Sequence, residues 1–402
     1  MPGSPRPIRK HLPASAWALG LVSLLMDFSS ECIHSLLPML LVGPLGAGMP
    51  LVGLIEGIAE ATASFTKIGS GWLSDRMPRR RPLVIAGYGL AALSKPMFPL
   101  AGSALQVLAA RCLDRIGKGI RGAPRDALIA DITPPELRGA AYGLRQALDS
   151  VGACLGPLAA MLGLMLWPGD LRRVLAWAAV PAVLAVALLL RVHEPLRARA
   201  PAAVREPPRP GAAGDAPARL PPVALGVACW RVIAIGGLLA LARYSEAFLV
   251  LRANGLGLPL AQVPLVLVVM NVVYAATAFP AGRWADRLPA TRLLAAGLVL
   301  LALADALLAR AQGLALLWCG AALWGLHMAL TQGLLSRMLA NAAPKEGRGR
   351  AFGTFNLVTG VAALLASALA GWLWSVAGAP VAFGAGCVLA LATLACLPLV
   401  RR

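Results

Sequence analysis

The sequence predicts an all-α membrane protein of twelve spanning helices, built as two related six-helix bundles. Three observations carry this: an apolar composition, twelve long apolar runs, and two loop motifs that recur at nearly one offset. Of the 402 residues 58% are hydrophobic and only 14% are charged, where a soluble chain carries about 25% charged residues. Mean hydropathy is +0.73. The excess of Lys and Arg over Asp and Glu, 37 against 18, does not indicate nucleic acid. The basic residues lie largely in short loops between apolar runs and form no basic face interleaved with aromatics.

A spanning helix needs about 20 mainly apolar residues. Runs of that kind lie near 16–42, 50–73, 82–101, 104–130, 138–166, 173–192, 225–251, 259–282, 291–310, 313–339, 351–377 and 379–400. The first run is too long for the apolar core of a signal peptide and contains Asp27 and Glu31, so it reads as a first membrane helix behind a basic anchor. His193–Pro222 is rich in Pro, Ala and Arg and reads as an extended linker. The expected division is a bundle at 1–192, a linker at 193–222 and a bundle at 223–402.

With both termini placed inside, 23 of the 37 Lys and Arg fall on the inner side, four fall outside and ten lie within spans. That asymmetry predicts a multi-pass bacterial inner-membrane protein with cytoplasmic termini and linker. The halves repeat. Gly71-x3-Asp75-Arg76 recurs as Gly282-x3-Asp286-Arg287, and Pro134-x-Glu136-x-Arg138-Gly139 recurs as Pro344-x-Glu346-x-Arg348-Gly349. The seven Cys are scattered without CxxC spacing and read as small buried hydrophobes.

Charges inside apolar helices disfavour insertion by about 2.5–3.5 kcal/mol each, so they mark a pathway or an internal ion pair. In the first span Asp27, Glu31 and His34 share an arc of about 60°, and in the second Glu56, Glu60 and Lys67 share about 40° at 100° per residue. Lys67 has two readings, a pathway group or, more plainly, a partner that neutralises one of those carboxylates. In the fourth span Arg111, Asp114, Arg115, Lys118, Arg121 and Arg125 fall within about 120°. Arg121 and Arg125 also suit the inner helix end, paired with Asp126, Asp131 or lipid phosphate. Arg145 and Asp149 are four apart and read as a mutual pair. Glu246 lies near the repeat position of Glu31, with Arg243 one turn before it. Trp324, His327 and Thr331 share one side of the tenth span, and Asp305 stands alone in the ninth.

The motif Gly71-Trp-Leu-Ser-Asp75-Arg76-Met-Pro-Arg79-Arg80-Arg81 resembles the signature loop of the major facilitator superfamily, with Pro78 where that family has Gly. Its weaker copy at Gly282–Arg287 falls where the family places one. Arg111 or Arg115 is similar to the family's arginine in the fourth helix. Gly152-x3-Gly156-Pro157 resembles its antiporter motif, although Ala159-Ala160 replace the closing Gly pair. Asp27-Phe-Ser-Ser-Glu31 and Asp114-Arg-Ile-Gly-Lys-Gly resemble a branch of bacterial permeases.

The resemblance implies alternating access between two bundles, with gating by Gly71, Asp75, Arg76, Gly282, Asp286 and Arg287. The intramembrane carboxylates Asp27, Glu31, Glu60 and Glu246 are the candidate proton-coupling groups, since burial disfavours a charged carboxylate. Arg111, Arg115, Lys118, Trp324 and His327 are the candidate substrate contacts, and the cationic stripe points to an anionic solute. The partners expected are a small solute, protons and lipid, with a monomer as the working unit. No GxxxxGK[ST] loop, cofactor signature or clustered metal-ligand spacing is present, so an enzyme is not expected and ATP is not the direct energy source. Export by proton antiport is favoured by the partial fifth-helix motif. A proton-driven importer of an organic anion, sodium coupling and, in a different class, a channel stay open.

The topology has a direct check. A cysteine introduced as Arg79→Cys should stay unlabelled by an impermeant thiol reagent on whole cells, while Gly46→Cys should be labelled. The reverse pattern would overturn the orientation.

Overall fold

The computed structural model describes residues 12–77, 79–192, 225–344 and 347–398, with only the backbone of Asp75 and Asp286 described. The linker at 193–222, the N-terminal cations, Pro78 and Glu346 lie outside the described residues. The described chain forms twelve helical spans: α1 Ala14–Val42, α2 Met49–Arg76, α3 Arg81–Leu100, α4 Ala104–Ile132, α5 Arg138–Leu166, α6 Leu171–Leu189, α7 Val227–Gly255, α8 Leu265–Arg287, α9 Ala290–Arg310, α10 Leu314–Ala342, α11 Arg348–Ala377 and α12 Ala379–Cys396. Ten of these regions are long and apolar enough to cross a membrane. α2 and α4 fall short because they carry Glu56, Glu60 and Lys67, and the cationic stripe.

Three spans are interrupted. α3 turns at Lys95-Pro96, and α6 turns at Ala178, whose carbonyl accepts from Ser29 Oγ at 2.6 Å. α7 loses helical geometry between Ala242 and Ala247. Two backbone N–H groups freed there find side-chain acceptors: Ser245 N–H donates to Ser367 Oγ at 3.1 Å and Ala247 N–H to Ser245 Oγ at 3.2 Å. Non-helical backbone at membrane depth survives only where such partners or a cavity receive it.

The repeat seen in the loop motifs is also a repeat in packing. In the first bundle α1 packs on α5 and α6, and α4 packs on α2 and α3. In the second, α7 packs on α11 and α12, and α10 packs on α8 and α9. The bundles meet through α2 against α11 and α5 against α8, which the same symmetry exchanges. Short loops alternate the helices, so the α2–α3, α4–α5, α8–α9 and α10–α11 connections share one end of the molecule. That end carries Arg79, Arg80, Arg81, Arg138, Arg283, Arg287, Arg348 and Arg350, and is called the basic face below.

At the opposite face the two bundles are closed together. Gly53 and Gly57 of α2 lie against the backbone of Ser367 and Leu364 of α11, and Gly371 lies against Met49. A Cβ on Gly57 would sit 2.8 Å from the Leu364 carbonyl oxygen and 2.9 Å from its Cα. Gly57→Val should therefore prise α2 from α11 without touching either bundle's core. Probes on Pro44 and Pro259, in opposite-face loops of the two bundles, should read a longer distance than in the parent protein. An unchanged distance distribution would show that this contact does not hold the face shut.

Candidate functional site

The stripe on α4 faces inward, and most of it is compensated by acids from α1, α2 and its own helix. Arg111 Nη2 donates to Glu56 Oε2 at 2.6 Å and to His34 Nδ1 at 3.2 Å. Glu56 is 1% exposed. Its Oε2 also accepts from Ser245 Oγ of the interrupted α7 at 3.2 Å, so one carboxylate joins the two bundles. Arg115 pairs with Glu60 at 3.0 Å, and that carboxylate is 45% exposed. Asp114 is bonded by Lys95 Nζ at 2.7 Å, and the same ammonium donates to Ser30 Oγ at 2.9 Å.

Toward the basic face, Arg121 lies 3.6 Å from Asp27 and stacks over the Tyr88 ring. Arg125 pairs with Asp126 and donates to Ser23 Oγ at 3.0 Å. Arg145 and Asp149 pair at 2.7 Å as the four-residue spacing predicts. Lys67 does not neutralise an acid of its own helix. It forms no ion pair with Glu56 or Glu60, because the α4 arginines reach those carboxylates first and Lys67 is exposed.

Two adjoining cavities of about 500 and 470 Å³ run between the bundles. They share Ser64, Lys118, Ala153 and Gln332 on their walls. The first lies toward the basic face, between Asp27, Lys67, Arg125 and Asp149 of the first bundle and Tyr274 and Asn356 of the second. The second lies deeper, between Glu31, His34, Glu60 and Arg115 on one side and Arg243, Ser245 and Glu246 on the other. Closed at the opposite face, the pair of cavities opens toward the basic face.

Within the deeper cavity the charged groups fall into two classes. Arg115 and Glu60 engage each other. Glu31, Lys118, Arg243 and Glu246 show no hydrogen bond or ion pair among the described residues. Each bundle thus presents one acid and one base to the same space. Arg243 and Glu246, three apart in sequence, form no ion pair, because the interruption of α7 takes both out of helical register. Gly156 has a visible purpose here. A Cβ on it would lie 2.9 Å from Glu31 Cβ and 2.6 Å from the Phe28 carbonyl oxygen, so the glycine lets α5 press onto α1 behind Glu31.

The remaining predicted contacts lie elsewhere. Arg111 is not on a cavity wall; it sits behind His34, bound to Glu56. Trp324 and His327 are fully enclosed, Trp324 against the Tyr244 ring and His327 Nδ1 3.1 Å from the Gly297 carbonyl. Met328, Thr331 and Gln332 of the same helix reach the cavity instead. The side chains of Asp75 and Asp286 lie outside the described residues, while Gly71 and Gly282 sit in the last turns of α2 and α8 at the basic face. Lys95 and Ser245 are residues that periodicity overlooked, since both occupy helix interruptions rather than a helix face.

A family model described as Major Facilitator Superfamily matches residues 19–253 and 233–402. An uncharacterised MFS-type transporter of Methanocaldococcus jannaschii is 29% identical over 376 residues, covering 91% of this chain and 90% of that one. The multidrug resistance protein MdtH of Aeromonas hydrophila is 30% identical over 142 residues, 35% of this chain and 36% of that one. Among solved structures, a bacterial homologue of the human lysosomal transporter Spinster, inward-facing and occupied, superposes with a TM-score of 0.75 at 15% identity over 96% of each chain.

The two classes of ion pair should separate in stability. Glu56→Gln leaves Arg111 charged and buried, a change that typically destabilises by about 3–5 kcal/mol. Glu60→Gln leaves Arg115 beside an open cavity and should lower thermal stability far less. Equal losses in a melting experiment would show that the two pairs are alike.

Proposed function

Because the chain belongs to the Major Facilitator Superfamily, we propose that it is a secondary active transporter that moves a small anionic solute across the bacterial inner membrane. The observation that carries this reading is the deeper cavity, where unpaired acids and bases of both bundles face one space. Substrate sites near the midplane between repeats, beside interrupted helices, suit alternating access. The positive-inside asymmetry assigns the basic face, both termini and the linker to the cytoplasm, which makes this conformation inward-facing. The bundles at 1–192 and 223–402 rock about the solute, with 193–222 as their tether.

In this reading Lys118 and Arg243 hold the solute's negative charge from opposite bundles, and Arg115 joins them when Glu60 lets go. Arg111 acts from behind, holding Glu56 and His34 in place. Glu31 and Glu246 carry the coupling protons, with Asp27 and Glu60 as further acids along the route. A carboxylate without a fixed counter-charge in a desolvated cavity is the group most able to exchange a proton. Gly71, Asp75 and Arg76, with Gly282, Asp286 and Arg287, gate the cytoplasmic end. There Asp75 would meet the N-terminus of α11, whose free N–H groups favour an anion. Export is the favoured direction, in keeping with the helix-5 motif and with the name of the MdtH relative.

The test begins with the anion that accumulates in, or poisons, a deletion strain. In vesicles carrying the purified protein, that compound should show saturable counterflow, which a channel would not. Glu31→Gln should retain exchange at equal concentrations and lose accumulation driven by a proton gradient. Arg115→Lys should weaken binding, since a lysine cannot copy bidentate contact to a carboxylate or phosphate, and Lys118→Gln should weaken it by removing a positive charge. Driven transport by Glu31→Gln equal to the parent's would exclude it as a coupling group. Unaltered affinity in both cation variants would remove the anion reading.

A further inference from the structure

Asp305 stands apart from the cavity charges. It lies in α9 with none of its surface exposed. The Tyr244 hydroxyl donates to Oδ1 at 3.1 Å, and Oδ2 has no hydrogen-bond partner among the described residues. Oδ2 rests against Gly386 of α12, where a Cβ would come within 2.5 Å of it. The space for this oxygen therefore exists only because residue 386 has no side chain.

The surroundings offer no counter-charge. From α7 the carboxyl group is faced by Tyr244, while Arg252 gives its guanidinium to the carbonyls of Leu308 and Ala311. From α12 the titratable neighbour is Cys387. From α10 come Trp324, whose ring stands 5.5 Å from that of Tyr244, and His327, turned to the Gly297 carbonyl. On α9 itself Arg310 is exposed at the helix end. Among the described residues no ion pair reaches Asp305, and its one hydrogen-bond partner is neutral. A buried carboxylate in that position is strongly disfavoured as an isolated charge and neutralises by taking a proton.

We propose that Asp305 is a proton-binding site inside the second bundle, between α7, α9 and α12, and that Tyr244 ties its occupancy to the cavity wall. Uptake adds one proton to Oδ2; no other bond forms or breaks, and Tyr244 keeps its own proton. Tyr244 lies in the interruption of α7 between Arg243 and Glu246, and it is among the residues that line the deeper cavity. A hydroxyl bonded to a charged carboxylate is held roughly twice as strongly as one bonded to a neutral acid. Proton binding thus loosens Tyr244, and with it the segment that carries Arg243, Ser245 and Glu246. Proton release tightens the same segment. This site is separate from the acids assigned to coupling inside the cavity.

Infrared spectra of the purified full-length protein, recorded across a pH series without solute, test it through the carbonyl stretch of protonated carboxyl groups. The parent protein should show a band that Asp305→Asn lacks, that shifts in heavy water and that fades as pH rises. Tyr244→Phe should move its frequency, because the donor to Oδ1 is gone. Identical spectra of the parent and Asp305→Asn at every pH would overturn the proposal. So would a band that keeps full intensity over the whole range in which the protein stays folded, since that marks a fixed acid. If Asp305→Asn does not fold, Tyr244→Phe decides alone: a shifted band supports the site and an unchanged carboxyl region overturns it. The measurement needs neither solute nor Glu31, so it can fail while the transport reading stands, and the reverse.

Discussion

The ion pair between Glu56 and Arg111 is the contact on which the interior depends. A guanidinium at lipid depth is tolerated only against an acceptor, and Glu56, 1% exposed, is the acceptor that α2 supplies. Meeting it fixes the rotation of α4 against α2. That rotation carries Arg115 to Glu60 one turn further along, and turns Lys118 into the cavities rather than toward lipid. The same carboxylate oxygen accepts from Ser245 of the other bundle. One group therefore sets both the packing inside the first bundle and a polar contact across the midline. The pair has capacity to spare: Glu56 Oε1 and Arg111 Nε have no hydrogen-bond partner among the described residues.

Much of this was legible in the sequence because two signals are strong at this length. Apolar runs of spanning length locate the helices, and a period of 3.6 places Asp27, Glu31 and His34, or the α4 stripe, on one face. Periodicity says which residues share a face and is silent about what the face meets. Lys67 and Glu60 share an arc on α2, yet Glu60 goes to Arg115 of another helix. Arg243 and Glu246 are correctly spaced for a pair on an unbroken helix, and α7 is broken between them. Lys95 was overlooked for a related reason: it sits at the turn before Pro96, and its partner Asp114 lies nineteen positions on. Trp324 and His327 show the limit of reading a side chain's polarity as a sign of function. Both are polar at one end and both are enclosed in packing, while the less conspicuous Thr331 and Gln332 face the cavity.

Closure of the opposite face rests on a different kind of contact. Between α2 and α11 the backbones touch at Gly57 and Gly371, as small residues allow wherever membrane helices approach closely. Such contacts are extensive but carry no charge and leave no orphaned polar group when they part. The hydrogen bond from Ser245 to Glu56 is the polar element close behind them. A face sealed mainly by dispersion, with the Ser245 bond to Glu56 behind it and a second inter-bundle bond from Asn271 Nδ2 to the Ala153 carbonyl at 3.1 Å, can open without leaving the buried pair unpaired, because Arg111 keeps hold of Glu56 throughout.

The two bundles repeat in packing and differ in chemistry, and the difference has a structural consequence. α4 carries six charged side chains from Arg111 to Arg125, whereas its counterpart α10 has only Arg337, near the basic face. The first bundle is therefore bound internally by directional ion pairs that fix α1, α2, α3 and α4 against one another. In the second bundle the comparable volume is filled by Trp324, Phe248, Phe383 and Trp374 around Tyr244. Its cavity-facing charges gather at one place, the interruption of α7, which has lost its helical hydrogen bonds. Aromatic packing fixes volume more firmly than it fixes direction, and an unwound turn is the part of a helix that moves at least cost. The asymmetry thus sets a rigid charged wall opposite a deformable one, with the unpaired groups of each facing the same space.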